Sequence, residues 1–249
     1  MEAIILCGGY AVRLAPITDF VPKPLLHIKG KPILNNIIDS LEDAKIHRYI
    51  ISTNRKFASH FEHWISREKL ARPGKQLDLI VENSVHNGEK FGAIKGVQYA
   101  IENGNVNDDL LLIAGDNFYD FELKHILDKF KASRKPTIAL YDVQSLEEAK
   151  RFGVVKANGD KIIGFEEKPQ NPQSTLISTG IYIFPKEDLH LFKEYLDGKN
   201  HPDAPGYFIK WLIERKEVNG IVYREDWYDI GTLETYKKVV NAYSDNPES

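Results

Sequence analysis

Residues 3–14 read Ala3-Ile4-Ile5-Leu6-Cys7-Gly8-Gly9-Tyr10-Ala11-Val12-Arg13-Leu14. An unbroken apolar run that stops at glycine predicts a short strand buried on both faces, and the small residues after it predict a tight loop at its carboxyl end. Working outward, Ile33, Leu34, Ile37, Ile38 and Leu41 recur at helical spacing, so an amphipathic helix is expected over 32–44 and a second strand over 49–52. The alternation continues with helices over 57–68 and 93–102 and strands over 77–81, 110–114 and 137–143. Such alternation predicts an α/β fold whose ligands sit beyond the carboxyl ends of the strands. From Gly153 the pattern changes. A hairpin is expected over 153–166, turning at Asn158-Gly159-Asp160, then strands over 180–184 and 220–223, helices over 187–195 and 206–215, and a last helix over 233–243. The expected architecture is a three-layer α/β fold with a mixed central sheet. Residues 244–249 are expected to fray.

The composition excludes several classes of function. Of the 249 residues, 42% are hydrophobic and 28% charged, which suits one globular domain with a sizeable core. A formal net charge of -3 provides no overall field for nucleic acid, so any anion must be held by local groups. The single cysteine, Cys7, can form no internal disulfide and lies in an apolar run, where an inert buried thiol is expected. The N-terminal apolar stretch is too short for a signal peptide, and no run of about 20 apolar residues follows, so a cytoplasmic protein without membrane association is expected.

The chemistry starts in the first loop. Gly8 and Gly9 let backbone N–H groups approach a phosphate, and Arg13 and Lys23 of Pro22-Lys23-Pro24-Leu25 add charge-assisted hydrogen bonds. Taken alone, two glycines after a strand also describe a plain turn. Neither the Walker pattern nor Gly-x-Gly-x-x-Gly is present. His60 and His63 share a helical spacing, but no third ligand is spaced to match, so a solvated face is expected there. Packing is the expected role of Trp227 and Tyr228, and a solvated helix that of residues 124–135.

Residues 6–14 with Pro22-Lys23-Pro24-Leu25 resemble the signature of the sugar-1-phosphate nucleotidylyltransferases, written L-A-G-G-x-G-T-R-L and P-K-P-L. Three later segments match the same family in order: residues 112–119 with Gly115-Asp116-Asn117, residues 151–155 with Phe165-Glu166-Glu167-Lys168-Pro169, and Trp227-Tyr228-Asp229-Ile230-Gly231-Thr232. The group most resembled is the glucose-1-phosphate thymidylyltransferases. In two places the chain departs from the pattern. Ala11 and Val12 replace a Gly and a Thr, and alanine substitutes quietly for glycine only where φ is negative. Where the family has a base-reading Gln and a glycine-led helix start, this chain has Glu82, Asn83, Gly88 and Gly92 with more than one alignment open.

The resemblance implies transfer of a nucleotidyl group from a nucleoside triphosphate to a sugar 1-phosphate, with Mg²⁺ as cofactor and pyrophosphate as by-product. Glucose 1-phosphate with dTTP or UTP leads, cytidylyl and guanylyl transfer stay open, and a non-catalytic nucleotide-binding regulatory module is the alternative of a different class. The implied catalytic residues are Arg13, Lys23 and Asp116. Leu6, Gly8, Gly9, Arg13, Lys23, Asn83, Gly88 and Asp116 would bind nucleotide, and Gly153, Glu167, Lys168, Thr179 and Gly180 would bind sugar phosphate. Asp116 and Asp229 would share the metal. One domain over 1–249 is expected, its nucleotide half over 1–120 and its sugar half over 121–249, without a C-terminal β-helix and with homo-oligomerisation left open.

Overall fold

The computed structural model describes residues 1–89 and 91–243, so the expected fraying of 244–249 lies outside the described residues. Strands follow in chain order as β1 (Glu2–Leu6), β2 (His27–Ile28), β3 (Lys31–Pro32), β4 (Arg48–Asn54), β5 (Gln76–Glu82), β6 (Leu110–Ala114) and β7 (Asn117–Tyr119). After these come β8 (Thr137–Asp142), β9 (Gly153–Asn158), β10 (Lys161–Glu167), β11 (Leu176–Phe184), β12 (Asn219–Tyr223) and β13 (Trp227–Asp229). Nine of them form one sheet in the order β5-β4-β1-β6-β11-β8-β12-β10-β9. The pairings among β5, β4, β1 and β6 are all parallel, whereas β11 runs antiparallel to both of its neighbours and β9 and β10 form an antiparallel hairpin. The sheet is therefore mixed, as expected.

Continuous apolar runs make strands buried on both faces, because side chains alternate across the sheet. Ile5, Ile51 and Ile113 point into one core, and Ile4, Ile50 and Leu112 into the other. Helices Ile33–Asp39, Ala58–Ala71, Lys124–Ser133 and Leu233–Ala242 cover the first face through residues such as Ile37, Phe61, Phe130 and Val239. Helices Ala93–Asn103, His190–Asp197 and Pro205–Ile213 cover the second through Val97, Phe192 and Phe208. Helix, sheet and helix make the three layers.

The structure departs from the expected elements in instructive places. The first long helix ends at Asp39 and continues only as a 3-10 turn over Glu42–Ala44. Strand β11 begins at Leu176, ahead of the expected start, because its register with β8 is interrupted between Ser178 and Tyr182 around a Gly180 at φ 81. A Cβ at Gly180 would stand 2.9 Å from both Ala114 Cβ and Asn117 Nδ2, so this strand can pass β6 only with glycine there. The antiparallel pair β7–β13 sets Asp229 opposite Asn117. Strands of three residues carry no readable period, which is why this pairing is absent from the sequence-based expectation.

Candidate active site

The loop after β1 is held by the strands beside it. Cys7 N–H donates to Ser52 O at 2.7 Å, and Asn54 Nδ2 donates to Gly8 O at 2.9 Å. Ala11 lies in the left-handed region with φ 46 and ψ 39, so this position does use the conformation that favours glycine. Its carbonyl accepts from Leu14 N–H and from the Thr18 hydroxyl, both at 2.9 Å, closing a 3-10 turn over Val12–Leu14 that carries the exposed Arg13. Cys7 is buried, and burial followed by the negative charge of Asp116 pushes its thiol well above the ordinary cysteine range, so it stays a neutral thiol.

Lys23 opens the 3-10 turn Lys23–Leu25, and its side chain is only 8% exposed. A buried ammonium needs a counter-charge. Lys23 Nζ donates to Asp116 Oδ2 at 2.9 Å and stands 3.5 Å from Asp229 Oδ1. Two carboxylates 113 positions apart in the chain thus converge on one cation, Asp116 from the end of β6 and Asp229 from β13. Burial raises the Asp229 carboxyl above its ordinary range; Lys23 opposes that shift, Asp116 adds to it and Arg13 opposes it.

Two cavities open on this point. The first, of about 440 Å³, lies over the parallel half of the sheet, and the second, of about 530 Å³, over the mixed half. Arg13, Lys23, Ala114, Asp116 and Pro205 line both, and Asp229 lines the second.

Leu6, Gly8 and Gly9, three of the residues expected to bind nucleotide, wall the first cavity. Asn83 and Gly88 do not reach it: Asn83 Oδ1 accepts from Arg55 Nη1 at 2.7 Å on the surface, and Gly88 sits in the exposed turn Asn87–Glu89. Their place is taken by Ser52, Glu82, Gly92, Ala93 and Gly96. The N–H groups that begin helix Ala93–Asn103 are already used, since Ala93 donates to Asp203 O at 2.8 Å and Ile94 to Pro202 O at 2.9 Å. This helix start therefore closes a loop and is not a phosphate site. The one available sign in the sequence was Glu82 itself, a charge at the carboxyl end of an apolar strand.

All five expected sugar-site residues, Gly153, Glu167, Lys168, Thr179 and Gly180, line the second cavity. Burial raises the Glu167 carboxyl above its ordinary range, with Lys168 opposing and Asp203 adding to the shift. Thr179 is committed to the scaffold, its hydroxyl donating to Ala139 O at 2.9 Å and its carbonyl accepting from Asn117 Nδ2 at 2.6 Å. Lys168 stands at the edge of this cavity. Set at φ 46 on the rim, its side chain is 66% exposed and not a buried contact, with Glu167 Oε1 3.9 Å away. Sequence reasoning also left Arg151, Asn117 and Trp227 without a role in this cavity. Trp227 packs on Phe152 and Tyr141 as expected, and its buried Nε1 has no acceptor among the described residues. His60 and His63 join no metal-binding cluster among the described residues.

Sheet and site together define a protein of the α/β nucleotide-binding class. The family model for nucleotidyl transferases matches residues 2–246, and the chain belongs to that family. It is similar to the bifunctional protein GlmU of Methanocaldococcus jannaschii, with 34% identity over 232 residues that cover 93% of this chain and 51% of the relative. It is also similar to the UTP–glucose-1-phosphate uridylyltransferase AglF of Haloferax volcanii, 27% identical over 193 residues covering 76% of this chain and 74% of the relative. Several of the curated relatives it matches are thus about twice as long as the part this chain covers. A solved UDP-glucose pyrophosphorylase complexed with UDP-glucose superimposes with a TM-score of 0.82 at 21% identity, covering 97% of each chain, which establishes the fold.

Proposed function

We propose that this protein transfers a nucleotidyl group from a nucleoside triphosphate to a sugar 1-phosphate, releasing pyrophosphate and forming a nucleoside diphosphate sugar. The observation that carries this reading is the pair of cavities sharing Arg13, Lys23 and Asp116. A reaction that joins two phosphates needs both substrates to present them at one place. The first cavity would take the nucleotide and the second the sugar phosphate, which assigns the two roles to residues 1–120 and 121–249 with some exchange: Pro205 reaches back to the nucleotide cavity.

The transition state gathers negative charge on phosphoryl oxygens, so preorganised cations should carry most of the catalysis. Arg13 would hold the β- and γ-phosphates and stabilise the departing pyrophosphate, with Lys23 beside the attacked phosphate. Arg151 and Lys168 would hold the sugar phosphate, and Glu167 would meet sugar hydroxyls. The attacking phosphate oxygen is already anionic near neutral pH, so no general base is required. Asp116 and Asp229 would hold Mg²⁺. Their oxygens already converge on one cation, and magnesium commonly takes one or two carboxylates with water and substrate phosphates. When bound, the ion supplies charge neutralisation at the attacked phosphate.

Among the described residues no helix is long and apolar enough to cross a membrane, and the lone buried cysteine fits a reducing compartment, so the cytoplasm is the location we propose. The resemblance favours glucose 1-phosphate as acceptor and thymine or uracil as base, while the chemistry of the first cavity favours another base. Phosphorus NMR of the protein with Mg²⁺, nucleoside triphosphates and a panel of sugar 1-phosphates tests the reaction. Pyrophosphate and a nucleoside diphosphate sugar should appear together, and should be lost in Asp116→Asn. No diphosphate sugar across the panel would overturn the reading.

A further inference from the structure

A carboxylate, that of Glu82, lines the first cavity together with Gly8 and Gly96. Glu82 ends β5 and is 8% exposed, and both of its oxygens lie beside glycines: a Cβ on Gly8 would stand 3.7 Å from Oε1, and one on Gly96 3.8 Å from Oε2. The side chain is oriented. Ser84 Oγ donates to Oε1 at 2.7 Å, and Tyr10 OH donates to that serine at 3.1 Å. Oε2 accepts no hydrogen bond from the described residues. Gly92, Ala93 and Gly96 leave the neighbouring wall free of bulk, a shape suited to a flat ring.

With phosphates at Arg13 and Lys23, the rest of the first cavity, which Glu82 lines, is left for the nucleobase of a bound nucleotide. We propose that Glu82 reads the base and selects guanine, so that the nucleotide donor is a guanosine triphosphate. This rests on the reading of the first cavity as the nucleotide site.

Hydrogen-bond chemistry separates the bases. An ionised carboxylate only accepts. Guanine presents two neighbouring donors, N1–H and the 2-amino group, which match two carboxylate oxygens as a fork matches a fork. Uracil and thymine present one N–H between two carbonyl oxygens, and those carbonyls would face the carboxylate. Cytosine and adenine present an amino group beside a ring nitrogen that itself accepts. A glutamine at this place offers one donor and one acceptor and so suits uracil or thymine. A carboxylate has no donor to offer, and of the common bases only guanine complements both of its oxygens.

Equilibrium binding of GDP, IDP, UDP, dTDP, CDP and ADP to the parent protein and to Glu82→Gln tests this without requiring turnover. GDP should bind the parent at least about 100-fold more tightly than UDP or dTDP, since a site built around hydrogen bonds strongly rejects ligands that leave its buried groups unpaired. IDP, which lacks the 2-amino group, should lose roughly tenfold relative to GDP. Glu82→Gln should weaken GDP and strengthen UDP or dTDP. The GDP–IDP comparison uses the parent alone, so it stands even if the variant does not fold. Tighter binding of UDP or dTDP than GDP, equal binding of GDP and IDP, or an unchanged base order in a folded Glu82→Gln would each overturn the proposal. Guanine-selective binding with no diphosphate sugar formed would leave Glu82 as the base reader and remove the transferase reading instead. Turnover with UTP in preference to GTP would keep the transferase and remove guanine.

Discussion

The first cavity is walled by Gly8, Gly9, Ala11, Gly92, Ala93 and Gly96, whereas the second is walled by Arg151, Phe165, Glu167, Lys168, Tyr182 and Trp227. The contrast follows from the sheet. Where β5, β4, β1 and β6 run parallel, their loops all emerge at one edge, and the backbone shapes the pocket with few side chains in the way. Where β11 runs against its neighbours and β9 and β10 form a hairpin, side chains from strand faces project into the space. One half therefore presents mainly backbone and small residues, with Glu82, Asp116 and Asp203 as its carboxylates, and the other mainly polar and aromatic side chains. The two share Arg13, Lys23, Ala114, Asp116 and Pro205 among the described residues.

The largest effect is expected at that junction. Arg13→Ala should lower turnover by about 100- to 1,000-fold, the usual cost of losing one preorganised donor to developing charge. Michaelis constants for both substrates should change far less. Steady-state kinetics with each substrate varied in turn would check this, and turnover within threefold of the parent would mean that the cavities meet somewhere other than Arg13.

A smaller effect is expected on the side-chain half. A buried lysine on a phosphate would be worth a great deal, but Lys168 is exposed and screened by water, so Lys168→Ala should raise the Michaelis constant for the sugar phosphate by roughly tenfold with turnover nearly unchanged. Nucleotide affinity should not move. A matching loss of nucleotide binding in this variant would break the division between the halves.

How much of this was legible in the sequence depended on the kind of feature. Buried strands with continuous apolar runs, such as Leu110–Ala114, could be read, as could residues fixed by an ordered set of motifs, such as Arg13, Lys23 and Glu167. The convergence of Asp116 and Asp229 was expected from the same set, although the β7–β13 pair that brings Asp229 to the site was not visible, because three residues carry no period. Asn83 and Gly88 were misplaced for a different reason. The chain between Glu82 and helix Ala93–Asn103 is irregular, and the helix start is set by carbonyls of Pro202 and Asp203, more than 100 residues away, which no local pattern could reveal. Exposure was equally hidden: nothing in Glu166-Glu167-Lys168 distinguishes the half-buried Glu167 from the exposed Lys168.

The smallest effect tests the backbone-built half at its weakest residue. Ala11 holds φ 46 and ψ 39, a conformation that costs a residue bearing a Cβ about 1–2 kcal/mol. The loop keeps it there because the Ala11 carbonyl accepts from Leu14 N–H and from the Thr18 hydroxyl, and the fully buried Leu14 anchors the turn. Glycine adopts the same angles without that cost but loses roughly 0.5–1 kcal/mol more conformational entropy on folding. The balance favours Ala11→Gly by about 0.5–1 kcal/mol, a rise in Tm of about 1–3 °C for a domain of this size. Ala11→Val should move the other way and further, because a β-branched residue resists positive φ. Thermal melts of the three proteins without ligand would check the order. A lower Tm for Ala11→Gly than for the parent would mean that the loop in solution does not hold the left-handed turn, and the shape of the first cavity would then depend on a ligand being bound.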